Sequence, residues 1–259
     1  KLILSFAVPL LLGMLFQQFY SMVDTIIVGK SLGVDQLAGV GSTGAINFMI
    51  IGFCMGVCNG FAIPVAQKFG ANNYKKLRKY VFNSAVLAAI FSIVMTMIVC
   101  VLCRSILEWM NTPSDIIDGA YSYIFVIFLG IPATYLYNLS SGIIRSLGDS
   151  KTPLMFLIMS SIINIVLDLV FIINFNMGVA GAAYATIISQ GVSAILCLIY
   201  TYKRFTILRL KKEDFKVKKR YYHKHLKIGI PMALQFSITA IGIMTVQGAL
   251  NVFGSTIIA

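Results

Sequence analysis

Two carboxylates, Asp24 and Asp168, stand inside long apolar runs of this chain. An ionisable side chain in hydrocarbon is costly, so it faces a protein-lined cavity and works there. Asn164 precedes Asp168 by one helical turn and shares its face. Its amide can orient the carboxylate or supply a further oxygen. Thr186 follows in the next apolar run, and Gln17, Tyr20 and Asp24 recur at i, i+3 and i+7, which is one helical stripe. Carboxylate, amide and hydroxyl oxygens suit a proton or a small hard cation. Two neighbouring carboxyls titrate as a pair, holding a proton and releasing it when the cavity wets or a cation arrives. The plainer alternative is that these acids only serve polar helix ends near the interface.

The elements that must bring these groups together are membrane helices. The chain is 58% hydrophobic and 12% charged, against about 25% charged in soluble domains. Apolar stretches of about 20 residues recur, enough to cross a hydrocarbon core of about 30 Å. They are too long and too uniformly apolar for barrel strands. The first run is too long for a signal peptide and lacks a small-residue cleavage site. Seven spans are predicted, over 2–28, 37–65, 80–103, 116–139, 153–173, 179–202 and 228–252. The expected fold is therefore an all-α polytopic membrane protein, a six-helix bundle plus a seventh helix.

Charge orients it. All Lys and Arg except Lys30 and Arg104 fall on one side of this topology, in the connections after the second, fourth and sixth spans and at Lys1. That side is expected to be cytoplasmic, with the N-terminus. The net charge of +12 is thereby accounted for without nucleic acid. On the outer side lie Glu108, Asp115, Asp118 and the interfacial anchor Trp109. With this orientation Asp24 and Asp168 each lie about 7 Å of helix inside the outer end of their spans, and Thr186 about 10 Å. A shared depth permits contact.

The basic stretch 203–226 reads as a linker, able to rest on anionic lipid. Tyr221, Tyr222, His223 and His225 read as an interfacial helix entering the seventh span, with both histidines solvated. The five cysteines, all in apolar runs, read as small packing residues despite the Cys100-x-x-Cys103 spacing. Gly52, Gly56 and Gly60 share one face of the second span, and Gly178, Gly181, Ala182 and Ala185 do the same in the sixth. Both stripes read as close helix contacts, with a substrate groove as the alternative. Pro9, Pro132 and Pro231 are candidate kinks or hinges.

An internal repeat is also visible. Lys227-Ile-Gly-Ile-Pro231-Met-Ala-Leu echoes Leu4-Ser-Phe-Ala-Val-Pro9-Leu-Leu-Leu, and Val252-Phe253-Gly254 echoes Ser31-Leu32-Gly33. It predicts a second half starting near residue 227. The expected organisation is a six-helix lobe (1–202), a cytoplasmic linker (203–226) and the first helix of a truncated second lobe (227–259).

Several stretches resemble the MATE (multidrug and toxic compound extrusion) transporters. Met22-Val-Asp24-Thr-Ile-Ile-Val-Gly29-Lys-Ser-Leu-Gly33 looks like that family's first-helix signature, followed by Leu37-Ala-Gly-Val-Gly41. Ser141-Gly142-Ile-Ile-Arg145-Ser-Leu-Gly148-Asp149-Ser-Lys151-Thr152-Pro153 is similar to its loop between helices four and five. Gly178-Val-Ala-Gly181-Ala-Ala-Tyr184-Ala185-Thr186 is similar to the opening of its sixth helix. The resemblance implies one lobe and part of the next of a twelve-helix plasma-membrane antiporter. Such a protein is a monomer and not an enzyme, and it exports cationic or amphipathic drugs against Na⁺ or H⁺. It implies no cofactor beyond the coupling ion, which Asp24, Asn164, Asp168 and Thr186 would hold. Gln17, Tyr20 and Gln235 are expected at a substrate cavity. Some members carry a glutamate in the seventh helix. This chain has Gln235, Thr239 and Gln247 there, which concentrates coupling on the first lobe.

Two rivals remain. A lipid-linked precursor flippase needs a basic cavity, and no Arg or Lys falls within the predicted spans. An intramembrane aspartyl protease needs a Gly-x-Gly-Asp element, and Ser146-Leu-Gly148-Asp149 lacks its first glycine.

Overall fold

A computed structural model describes residues 2–215 and 217–251, with side chains from residue 6 onward and excepting 244 and 247–251. The Val252–Ala259 part of the repeat and the Gln247 side chain lie outside the described residues. Among the described residues nine α-helices follow in order: α1 (Leu2–Leu32), α2 (Val34–Ser42), α3 (Gly44–Gly70), α4 (Tyr74–Trp109), α5 (Ile117–Leu129), α6 (Ile131–Ser146), α7 (Lys151–Leu169), α8 (Gly178–Arg204) and α9 (Lys219–Asn251). A π-turn over Val170–Asn174 extends α7. Among the described residues six helices are long and apolar enough to cross a membrane, and α5 with α6 forms a seventh, bent span. The protein is an all-α polytopic membrane bundle.

Two spans depart from expectation. The second begins at Gly44 rather than near residue 37. Gly33, at φ 90°, turns the chain out of α1 into the short α2. The Ser42 and Thr43 hydroxyls then donate to the Gly39 and Val40 carbonyls and close α2 off. The fourth span is bent by 47° between α5 and α6. Pro132 lacks the N–H that would continue α5 and suits the first turn of a new helix. Gly130 at the bend lets Ile187 of α8 come close, where any Cβ would overlap it. By contrast α1 runs unbroken through Pro9, and α9 through Pro231.

The glycine stripe of α3 is a packing seam. A Cβ on Gly56 would lie 2.5 Å from Ala233 Cα, and one on Gly60 would overlap the Gly229 Cα outright. The α3 and α9 backbones therefore touch, as small-residue interfaces allow in lipid. Their ends are locked by a side chain predicted to be solvated. His225 is fully buried, its Nε2 3.2 Å from the Tyr80 carbonyl, its ring edge-on to Phe61 and Tyr80. The reason is that α9 begins at Lys219 as one continuous helix. The α3 seam turns Gly229 and Ala233 inward, and His225, one turn before Gly229, follows them. His223 faces out as expected.

The linker is also held. Asp214, buried between α8 and α9 in sequence, accepts from Arg78 Nε of α4 at 2.7 Å and from the Lys211 N–H at 3.0 Å. Phe215 packs edge-on against Phe82. Burial alone would raise the Asp214 carboxyl, but the Arg78 guanidinium and the Lys211 amide outweigh it and hold it below its ordinary value. Its contribution is therefore complete above the unfolded carboxylate range and lost as pH falls through the lower folded value. All five cysteines are free, and four are buried among apolar side chains.

Two outcomes are expected in the full-length protein. Gly60→Val lowers stability by about 1–3 kcal/mol through overpacking, read as a fall in melting temperature. Gly52→Ala is tolerated, because its Cβ would meet Phe236 at an ordinary 3.5 Å. Equal melting of both variants would contradict the seam. Asp214→Asn should expose the linker to trypsin at Lys211 and Lys212 at neutral pH, where the native protein resists.

Candidate functional site

The acids predicted to meet do meet. Helix α1 packs against α7, its π-turn and α8, and this brings Asp24 and Asp168 within hydrogen-bonding reach of each other. Asp168 is fully buried and Asp24 nearly so. The two acids meet although they do not lie equally far from the ends of their helices. Helix α1 continues to Leu32, so Asp24 sits about 12 Å of rise from its end rather than about 7 Å. Asp168 sits nearer the end of its own span, at Asn174. The helices meet out of register, and the two side chains still coincide.

Asn164 and Thr186 complete the cluster. Oriented with its nitrogen toward Asp168, the Asn164 amide donates to Oδ2 at 3.0 Å and accepts from the Thr186 N–H at 3.2 Å. The Thr186 hydroxyl donates to the Ala182 carbonyl at 3.1 Å and accepts from the Tyr20 hydroxyl at 3.4 Å. Helices α1, α7 and α8 are thus stitched through one polar knot. The small stripe of α8 makes this possible. Ala182 and Ala185 are fully buried, and a Cβ on Gly181 would press on Phe171 of the π-turn at 3.1 Å. The π-turn begins two residues after Asp168, and such turns recur at functional sites because they loosen the helical ladder.

Sequence reasoning missed Tyr123. It is buried on α5 and lies in electrostatic range of Asp24, Tyr20 and Asp168. Its span gave no signal, since a tyrosine in an apolar run reads as an interfacial anchor.

The electrostatics of the cluster are unbalanced. Among the described residues neither acid makes an ion pair. Asp24 Oδ1 and Asp168 Oδ1 are buried with no hydrogen-bond donor. Two touching carboxylates without a counter-charge cannot both stay ionised in a dry site. The donor set fits a shared proton, or a small hard cation held by the free oxygens with neutral ligands nearby. Among the described residues no group of three or more His, Cys, Asp or Glu could hold a metal.

A chamber of about 370 Å³ adjoins this knot, with Gln17 and Tyr20 in its wall as expected. Gln235 is not in its wall. Helix α9 turns Ala233 toward α3, which leaves Gln235 exposed two residues on. The chamber extends from Tyr20 to Ser150 and Arg145. Arg145 belongs to the last turn of α6, not to a connecting loop. The bent span runs to Ser146 and carries this arginine inside, so a basic side chain does line the cavity. Asp149, by contrast, is structural. It accepts from the Lys151 and Thr152 N–H groups and from the Thr152 and Tyr200 hydroxyls, which caps α7 far from the paired acids.

Membrane-crossing helices thus hold a buried acid pair beside a chamber that Tyr20 joins to it, an arrangement suited to a membrane protein that handles small solutes. Comparison with known proteins agrees. The MatE family model matches residues 9–170. The chain is 31% identical to the probable multidrug resistance protein YpnP of Bacillus subtilis (strain 168), over all of this chain and 58% of that protein. Its fold superimposes on an inward-facing multidrug resistance MATE family transporter of the MOP superfamily, with TM-score 0.88 and 26% identity, over 100% of this chain and 59% of that one. An outward-facing structure of a multidrug resistance MATE family transporter gives TM-score 0.87 and 27% identity over 94% and 54%. This chain belongs to the MatE family, and it spans between half and two thirds of the length of these relatives.

The knot should show coupling. Asn164→Leu strands Asp168 Oδ2 and costs about 1–3 kcal/mol. Adding Asp168→Asn removes the stranded charge and should restore most of that stability. Thermal melting of the single and double variants measures it; strictly additive changes would contradict the contact.

Proposed function

We propose that this chain forms the ion-coupling part of an antiporter. It exports amphipathic small molecules across the plasma membrane, in exchange for Na⁺ or H⁺, by alternating access. The observation that carries this reading is the Asp24–Asp168 contact with its two partnerless oxygens. A chamber that can change its exposure needs a group whose charge state differs between the two exposures, and this pair is such a group. The basic ends of the helices, with the N-terminus, face the cytoplasm on this reading.

The chain's own residues account for the steps. With the chamber open outward, Asp24 and Asp168 share one incoming cation or proton, and Asn164 holds Asp168 in place from behind. The like-charge repulsion between the acids falls, and α1 and α7 close on each other. The π-turn after Asp168 gives α7 room to adjust, and Pro9 gives α1 a bending point beside the chamber. The chamber narrows and substrate leaves. A ligand shifts such an equilibrium only through its different affinity for the two states, which the acid pair supplies. Exchange of Tyr20 and Thr186 contacts then links the movement of α1 to α8. The flippase reading gains one observation, the basic side chain of Arg145 in the cavity wall.

The test is efflux of a fluorescent amphiphile from vesicles bearing the full-length protein, under an imposed Na⁺ or pH gradient. Asp168→Asn is expected to abolish gradient-driven efflux while insertion and yield stay normal. Asp24→Asn should cut it by at least tenfold. Undiminished efflux from either variant would sink the coupling scheme.

A further inference from the structure

The half of the chamber away from the acids has a chemistry of its own. Its wall contains one ionised side chain, Arg145, and no Asp or Glu. Arg145 makes no ion pair among the described residues. Of its five N–H donors, one is engaged, in a long 3.4 Å contact from Nη2 to Asn59 Oδ1. Asp149, the acid nearest in sequence, has both oxygens committed to α7 and Tyr200.

The bland explanation is that Arg145 merely complements the carbonyl end of α6. Those carbonyls are already taken. Ile143 and Ile144 accept from Leu147, Ile144 also from Asp149, and Arg145 from Gly148. The guanidinium instead borders the cavity. Asn59 stands beside it, and the same chamber offers further neutral hydrogen-bonding groups in Tyr137, Asn138 and Gln190. Leu10, Met14, Leu154 and Leu157 give the chamber an apolar surface as well. A partly desolvated guanidinium without a counter-ion is expensive. The ligand that relieves it carries a planar or tetrahedral oxyanion, which the guanidinium fork grips by two parallel bonds.

We propose that this part of the chamber is an anion subsite, in which Arg145 holds the carboxylate or phosphate head of an amphipathic substrate whose apolar body lies along Leu10, Met14, Leu154 and Leu157. The inference rests on the transport reading above and changes the expected sign of the substrate's charge from positive to negative. It has a mechanical consequence. An anionic substrate and the coupling cation attract, so charge competition does not drive their exchange. The change of chamber shape does.

The experiment is equilibrium binding to the full-length protein in phosphatidylcholine nanodiscs. Two dansyl probes of equal chain length are compared, one ending in a carboxylate and one in an amine. The carboxylate should bind about tenfold tighter, the size of one charge-assisted contact. Arg145→Gln should erase the preference, and Arg145→Lys should keep part of it. An amine that binds as well as the carboxylate, or a preference that survives Arg145→Gln, would overturn the subsite. Displacement of the carboxylate probe by short-chain phosphatidylglycerol would mark a lipid as the natural source of the head group. Displacement by a soluble medium-chain acid alone would mark a free amphiphile. No ion gradient enters this measurement. It therefore stands or falls apart from the efflux test on Asp168→Asn.

Discussion

The arrangement turns on two buried carboxyl groups in contact, with no positive side chain among the described residues to balance them. Asp24 and Asp168 each leave an oxygen without a donor, in a place where water is scarce and charge is costly. The rest of the site follows from making that contact tolerable. Asn164 gives Asp168 one firm hydrogen bond, Thr186 receives the other end of the amide, and Tyr20 returns the chain of contacts to α1. Small residues on α8 allow the three helices to approach closely enough for side chains this short to reach one another. The remaining deficit is one positive charge, which on the proposed reading a proton or small cation supplies.

Around that knot the scaffold is divided by stiffness. The α3–α9 seam is backbone against backbone, and it is extended at one end by His225 and by the Arg78–Asp214 clasp on the linker. Backbone-level packing of this kind has little freedom to slide. The side that carries the acids is built differently, with a proline beside the chamber on α1 and a π-turn ending α7 next to Asp168. On the proposed reading that side adjusts while the α3–α9 side stays firm. Tyr20 stands at the part of the chamber wall next to the acids, and Arg145 stands in another part.

Much of this was legible from residue types alone. Apolar length and charge asymmetry are properties of the solvent a segment sees, so the spans and their alternation could be read without coordinates. The pairing of Asp24 with Asp168 could be read because a buried acid has few tolerable surroundings. What could not be read were the positions set by tertiary geometry. At the bend Gly130 leaves room for Ile187 from another helix, and it is that bent span which carries Arg145 into the wall instead of leaving it in a loop. His225 is buried because α9 is one rigid rod pinned at Gly56 and Gly60, and a local reading of a basic, aromatic stretch has no access to that register. Gln235 lies outside the chamber for the same reason. Tyr123 was silent because nothing in its neighbours along the chain distinguishes a tyrosine facing acids from one facing lipid.

The central claim is that the two acids act as one unit, sharing a single proton or cation. Infrared difference spectroscopy of the full-length protein, on stepping the pH or adding Na⁺, observes that unit directly. The account predicts one protonated-carboxyl band that vanishes on deprotonation or ion binding and is lost in both Asp24→Asn and Asp168→Asn. Two independent bands, each removed only by its own substitution, would contradict it.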